Sequence, residues 1–419
     1  MKQTVAYAKE LDGKDELKKF RDKFHIPLQE NGEEHIYLCG NSLGLQPKTT
    51  KVYIKQELDD WAAYGVEGHL HAKNPWLPYH EYLNDTMAKV VGAKPIEVVV
   101  MNTLSVNLHL LMATFYRPTK ERYKILIESD AFPSDRYAVE SQLKFHGYAD
   151  GLVELKPREG ETLLRHDDIE AKIEAQGDEI ALILIGCPNY YTGQVFNIKR
   201  IAELGHKKGC MVGIDLAHGA GNLKLELHDS EIDFAAWCTY KYLNSGPGSV
   251  GGCFIHERHA KAYDLPRFAG WWGHDKETRF GMRDDFNPIP GAEGWQLSNP
   301  PILSLAAIKA SLDIFGEVGM EVLRKKSVEL TGYLENLLKE LLASEVEIIT
   351  PKNPEERGCQ LSLQLVSGYG KQVFKAITKR GVIADWREPN VIRIAPAPLY
   401  NSFEDVFKFV SILKEELQK

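Results

Sequence analysis

The 419-residue chain carries 51 Lys and Arg against 59 Asp and Glu, a net charge of -8, with 43% hydrophobic residues. That composition suits an ordinary globular protein with a large core and room for two domains. It excludes nucleic acid or an anionic membrane as the main partner, because no long basic block occurs.

The N-terminal "MKQTVAYAKELDGKDELKKF" is charged throughout and lacks the apolar stretch of a signal peptide. No apolar run approaches the ~18 residues of a membrane span. Cys39, Cys187, Cys210, Cys238, Cys253 and Cys359 show no C-x-x-C spacing, and several lie in apolar runs. Buried thiols in a reducing cytoplasm are expected.

In chain order, residues 14–24 read as a charged helix, followed by an irregular stretch with "YLCGNSLGLQPK" (37–48). From about 96 to 256 strands alternate with helices. "EVVVMN" leads into "LSVNLHLLMATF", where Leu104, Leu108, Leu111 and Phe115 share a helical face. "YKILIES" leads into "FPSDRYAVESQLKFHG". "EIALILIG" and "CMVGID" flank "KRIAELGHKKG", and "DFAAWCTYKY" and "GGCFIH" complete the series. This alternation implies a mostly parallel sheet covered on both faces. Two long helices follow within 298–344, then a compact α+β end: "VEIITP", "CQLSLQLV", a helix at 371–380, "GVIADW", and "VIRIAPAP". Asn401 or Ser402 should cap the last helix. The expected organisation is an N-terminal helix and arm (1–48), a large α/β domain (49–295) and a small α+β domain (296–419).

Two features compete for the site. Gly246-Pro247-Gly248-Ser249-Val250-Gly251 spells G-x-G-x-x-G. A dinucleotide fingerprint needs those glycines at a strand-to-helix turn, whereas "GGCFIH" reads as a strand and no acidic ribose partner follows. The glycines are loop punctuation. Lys241 lies just before them. A lysine that condenses with pyridoxal phosphate needs an acid near the pyridine nitrogen and a helix N-terminus for the phosphate. Asp215 ends "CMVGID", Leu104-Ser105 opens one helix, and Phe132 begins the next. Singly each has a plain structural reading: a surface lysine, a helix-capping Asp215, a loop His218. Asp215 with His218 could suggest a metal pair, but no further ligand cluster supports one, and no metal is expected.

The motifs that follow narrow the choice. "GNSLGLQPK" (40–48), "NTLSVNLHLLMATFY" (102–116), "AFPSDRYAVESQ" (131–142), "YYTGQVFNI" (190–198), "GIDLAHGAGN" (213–222) and "YKYLNSGPGSVGG" (240–252) occur together. "GWWGH" (270–274), "LSNPPI" (297–302) and "IRIAPAPLYNSFEDV" (392–406) complete the set. From about residue 37 to the C-terminus the chain resembles the kynureninase family, enzymes of the fold-type-I pyridoxal-phosphate class related to class-V aminotransferases.

That resemblance implies hydrolysis of L-kynurenine to anthranilate and L-alanine, or of 3-hydroxykynurenine to 3-hydroxyanthranilate and L-alanine, in tryptophan breakdown or pyridine nucleotide synthesis. It implies that Lys241 carries the cofactor and moves protons, with Tyr240 on the phosphate and available as an acid. Asp215 would pair with the pyridine nitrogen and Phe132 would pack on the ring. Leu104, Ser105, Pro133, Ser134, Asp135 and His218 would line the cofactor site. Arg393 would hold the substrate carboxylate, with Asn299, Ser42 and His69 (or His71) also toward the substrate. Trp271 and Asn299 would also bind the cofactor, reaching a neighbouring subunit's site and making a homodimer with shared active sites. A class-V aminotransferase or a cysteine desulfurase is the alternative. The latter needs a mobile reactive cysteine, and Cys359, at the head of an apolar strand, suits a structural thiol better.

Overall fold

The computed structural model describes residues 3–366 and 369–419. Its centre is a seven-stranded sheet. Taken across the sheet, the strands are Val98–Val100, Gly252–Ile255, Phe234–Trp237, Met211–Asp215, Ile180–Gly186, Lys124–Glu128 and Leu152–Leu155. All neighbours are parallel except Gly252–Ile255, which runs antiparallel to both strands beside it.

The runs are almost continuously apolar because both faces are covered. Side chains alternate between two cores, as a period of two demands. Leu126, Ile183, Val212 and Ile214 enter one cluster, while Ile125, Ile127, Leu182 and Leu184 enter the other.

The C-terminal region forms a four-stranded antiparallel sheet ordered Asp385–Arg387, Val391–Ile394, Leu361–Leu365, Val346–Ile348. The helix Phe403–Leu417 packs on it, opened by Ser402 in a capping box with Asp405. "GVIADW" divides in two: Val382–Ile383 pairs in parallel with Ile36–Tyr37, and the sheet strand begins only at Asp385.

The charged helix expected over 14–24 is instead Val5–Lys14 followed by a short 3₁₀ turn, Lys18–Lys23. Asp15 breaks the run: its carboxylate accepts from Leu17 N and pairs with buried Lys326 at 2.7 Å. A side chain spent on its own backbone competes with helix continuation.

Packing passes between the two bodies along the long helices. Ile302–Val318 buries Leu305, Ile308, Leu312 and Phe315 in the core of the large sheet. Within Met320–Leu341, Leu323 still belongs to that core, whereas Leu330, Leu334 and Leu337 belong to the second. Ala8, Ile36 and Leu38 from the N-terminal arm also enter the second core.

Candidate active site

In an open parallel sheet, ligands gather beyond the carboxyl ends of the strands. Here three strands end in Glu128, Gly186 and Asp215, and the register sets Gly186 against Asp215. Gly186 has no side chain for a local reason. A Cβ there would lie 2.8 Å from Glu128 Oε1, so its absence lets the Glu128 carboxyl lean across to Gly186 N at 3.1 and 3.2 Å.

A pocket of about 230 Å³ opens above these ends. Leu104, Ser105, Phe132, Ser134, Asp135, Asp215, His218, Tyr240 and Lys241 all line it. The strand Phe234–Trp237 hands the chain to a loop that returns Tyr240 and Lys241 over the pocket. Lys241 Nζ lies 3.0 Å from His218 Nε2 and 5.8 Å from the Phe132 ring centre. Burial, reinforced by the charges of Lys241 and Arg393, pushes the His218 pKa well below its usual value. His218 is therefore a neutral imidazole whose Nε2 accepts from the lysine.

Asp215 is buried, with Oδ1 accepting from Ala217 N at 2.6 Å. Asp135 faces it, and burial together with that negative neighbour raises its pKa well above the usual carboxylate range. Asp135 Oδ1 is buried and finds no partner among the described residues. Burial also pushes Glu128 up to about 8. The Tyr240 phenol is raised too, chiefly by burial, so it keeps its proton at neutral pH.

At the other side two helices begin: Leu104–Phe115 after Thr103, and Pro133–Phe145 after Phe132. Neither cap side chain takes a first-turn N–H, and Ser105 Oγ and Ser134 Oγ lie 2.7 Å apart between the helix starts. Open N–H groups, the positive ends of two helix dipoles and two hydroxyls suit a phosphate. The acids opposite suit a protonated ring nitrogen, and the unpartnered Asp135 oxygen leaves an acceptor there. The residues present fit pyridoxal phosphate.

The remaining site residues lie elsewhere. Pro133 occupies the first turn of its helix without lining the pocket. Trp271, 41% exposed, lines a separate hollow with Met282 and Phe286, and Asn299 is exposed. Ser42 is exposed, and His69 sits on a short helix with Nδ1 2.9 Å from Val66 O, its ring edge-on to Trp76. Arg393 is fully buried and does not line the pocket, which it meets through Tyr190: Nη1 donates to Tyr190 O at 2.7 Å and Nη2 to Asp385.

Glu128 and Tyr190 line the pocket without having been singled out in the sequence. Glu128 carried a legible signal, a lone acid ending the apolar strand "KILIE". Tyr190 did not: only the fold brings its ring edge-on to Phe132, at 5.3 Å between centres.

An open α/β sheet with this lysine, acid and paired helix starts at its carboxyl edge defines a pyridoxal-phosphate enzyme of the fold-type-I class. Solved structures agree on the fold. C-DES carrying glycine covalently linked to its PLP cofactor aligns with a TM-score of 0.78 at 15% identity, covering 91% of this chain and 96% of that one. The apo cysteine desulfurase of Thermococcus onnurineus aligns with a TM-score of 0.77 at 18% identity, covering 96% and 98%.

Closer relatives set the family. The kynureninase of Myxococcus xanthus is 58% identical over 411 residues, 98% of this chain and 96% of that protein. That of Flavobacterium psychrophilum is 57% identical over 417 residues, 98% of each. The family model for the kynureninase C-terminal domain matches residues 323–413. The chain belongs to the kynureninase family and is a pyridoxal-phosphate-dependent hydrolase with a small-molecule substrate.

Proposed function

We propose that the pocket hydrolyses L-kynurenine to anthranilate and L-alanine, and accepts the 3-hydroxy substrate, with Lys241 as the residue that carries the cofactor and moves protons. The observation that carries this reading is the meeting of Lys241, His218 and Asp215 in one pocket at the sheet's carboxyl edge. Bound there, pyridoxal phosphate supplies an electron sink for negative charge developing on substrate carbons.

The chain's own residues supply position and protons. Asp215, backed by Asp135, holds the ring nitrogen's proton, and Phe132 packs on the ring. Leu104, Ser105, Ser134 and Tyr240 hold the phosphate. Neutral His218 accepts one Nζ hydrogen and so orients the Lys241 amine, which takes and returns substrate protons. Tyr240 keeps a phenolic proton to donate. Arg393 takes the substrate α-carboxylate.

Trp271, Asn299, Ser42 and His69 do not line this pocket; Trp271 and Asn299 reach the site of a neighbouring subunit in a homodimer, where they and His69 or His71 take the substrate's aryl end, and Ser42 lies toward the substrate. The exposed apolar side chains around Trp271 support a covered face: Phe268 is 62% exposed, Phe280 57% and Met282 71%. A cytoplasmic location is consistent with the absence, among the described residues, of any helix long and apolar enough to cross a membrane.

Incubation with L-kynurenine should release anthranilate and alanine in equal amounts, and borohydride reduction should leave the pyridoxyl label on Lys241. Formation of kynurenic acid with a requirement for added keto acid would instead mean transamination. A label on another lysine would overturn the site.

A further inference from the structure

The edge of the C-terminal sheet gathers three charged side chains on one face. Alternation along Asp385–Arg387 puts Asp385 and Arg387 on the same side, and the antiparallel register sets Asp385 opposite Arg393. Arg393 Nη2 donates to Asp385 Oδ2, and Arg387 Nη2 donates to the same oxygen at 3.1 Å. Tyr190 O takes the other arm of Arg393, so backbone and carboxylate together fix the guanidinium plane. The buried Nε groups of Arg393 and Arg387 find no acceptor among the described residues.

Charge counting sharpens the point. Arg393 with Asp385 alone is neutral, and a neutral pair attracts a carboxylate far more weakly than an uncompensated cation does. Arg387 makes the group two cations against one anion, restoring a net positive charge beside the pocket-lining Tyr190. A buried arginine with an unanswered N–H is expensive unless an anion completes it.

We propose that Asp385 and Arg387 belong to the substrate-carboxylate site: Asp385 positions the Arg393 guanidinium, and Arg387 offsets the Asp385 charge so that an incoming carboxylate still meets a net cation. The inference rests on Arg393 being the carboxylate-binding residue.

The test compares KM and kcat of the holoenzyme for L-kynurenine and for its α-carboxamide. Arg387 is 37% exposed, so Arg387→Gln should fold, which a thermal melt verifies. It should raise KM for kynurenine about tenfold through loss of one nearby charge, with kcat little changed and the amide unaffected. Adding Asp385→Asn to Arg387→Gln restores the net charge, and the Asn carboxamide oxygen still accepts from Arg393 Nη2, so most of the lost affinity should return. An unchanged KM in Arg387→Gln, equal losses on acid and amide, or a double variant no better than the single one would overturn the proposal. Arg393→Gln separates the two readings: if it leaves the acid-over-amide preference intact, the assignment of Arg393 itself fails.

Discussion

Mixing two inactive variants offers a quantitative test of shared active sites. Lys241 lines its own pocket, whereas Trp271 of the same chain lines another hollow and is 41% exposed. If Trp271 serves the neighbouring subunit, Lys241→Ala and Trp271→Ala damage the same site only when they come from different chains of one dimer. Equal amounts of the two variants, unfolded and refolded together, reassort into dimers in about a 1:2:1 ratio, so roughly half are mixed. In each mixed dimer one site contains both substitutions and the other contains neither. Activity should therefore recover to about a quarter of the wild-type value at equal protein concentration. The assay is anthranilate release, measured for the mixture and for each variant refolded alone. No recovery above the average of the two parents, with mixed dimers demonstrated by a tag on one variant, would refute the shared-site arrangement. Lys241 would keep its role.

Three other outcomes follow from the titrating groups. Glu128 rises from 4.5 to about 8 in the fold, so the folded protein holds a proton that the unfolded chain releases. Stability of the cofactor-free protein should then fall as pH climbs through that window, and Glu128→Gln should flatten the fall in urea titrations. Asp233 is held far below the usual carboxylate range despite its burial by His206, His259 and Arg258. Its stabilisation is present above the unfolded pKa and disappears as acid protonates it. Asp233→Asn should accordingly cost about 3–5 kcal/mol at neutral pH, and the deficit should shrink below about pH 3.9. Burial raises the Cys359 thiol to about 12, so it is no nucleophile at neutral pH. Cys359→Ser should keep kynurenine hydrolysis, and loss of turnover without loss of folding would revive a desulfurase-like reading.

The strands and helices around the pocket were legible because both-face burial writes long apolar runs, and because Asp215 and Lys241 stand at their ends. Leu104, Ser105 and Phe132 could be read from order along the chain, whereas His218 came only from the motif resemblance. Asp385 could not, because its meaning comes from a cross-strand register with Arg393, and register is absent from a single strand's pattern. Trp271, Asn299, Ser42 and His69 came only from the motif resemblance, and the described residues leave them outside the pocket. The helix expected over 14–24 failed at Asp15, whose carboxylate takes Leu17 N locally and is held there by Lys326, a partner that no local window contains.

The seam between the large sheet and the C-terminal sheet has a particular chemical character near Arg393. The turn after Ile180–Gly186 offers its carbonyls to the other body: Tyr190 O to Arg393 and Gln360, Tyr191 O to Ser362, and Thr192 O to Thr350. Such bonds exchange for water at about 0.5–1.5 kcal/mol each, far less than parting an apolar interface of the same extent. Arg393, the residue proposed to take the substrate carboxylate, sits among these polar contacts, while Leu399 and Tyr400 tie the same two bodies through the apolar core. The orientation of this arginine therefore depends on both bodies at once: Tyr190 O from one and Asp385 from the other hold its two arms.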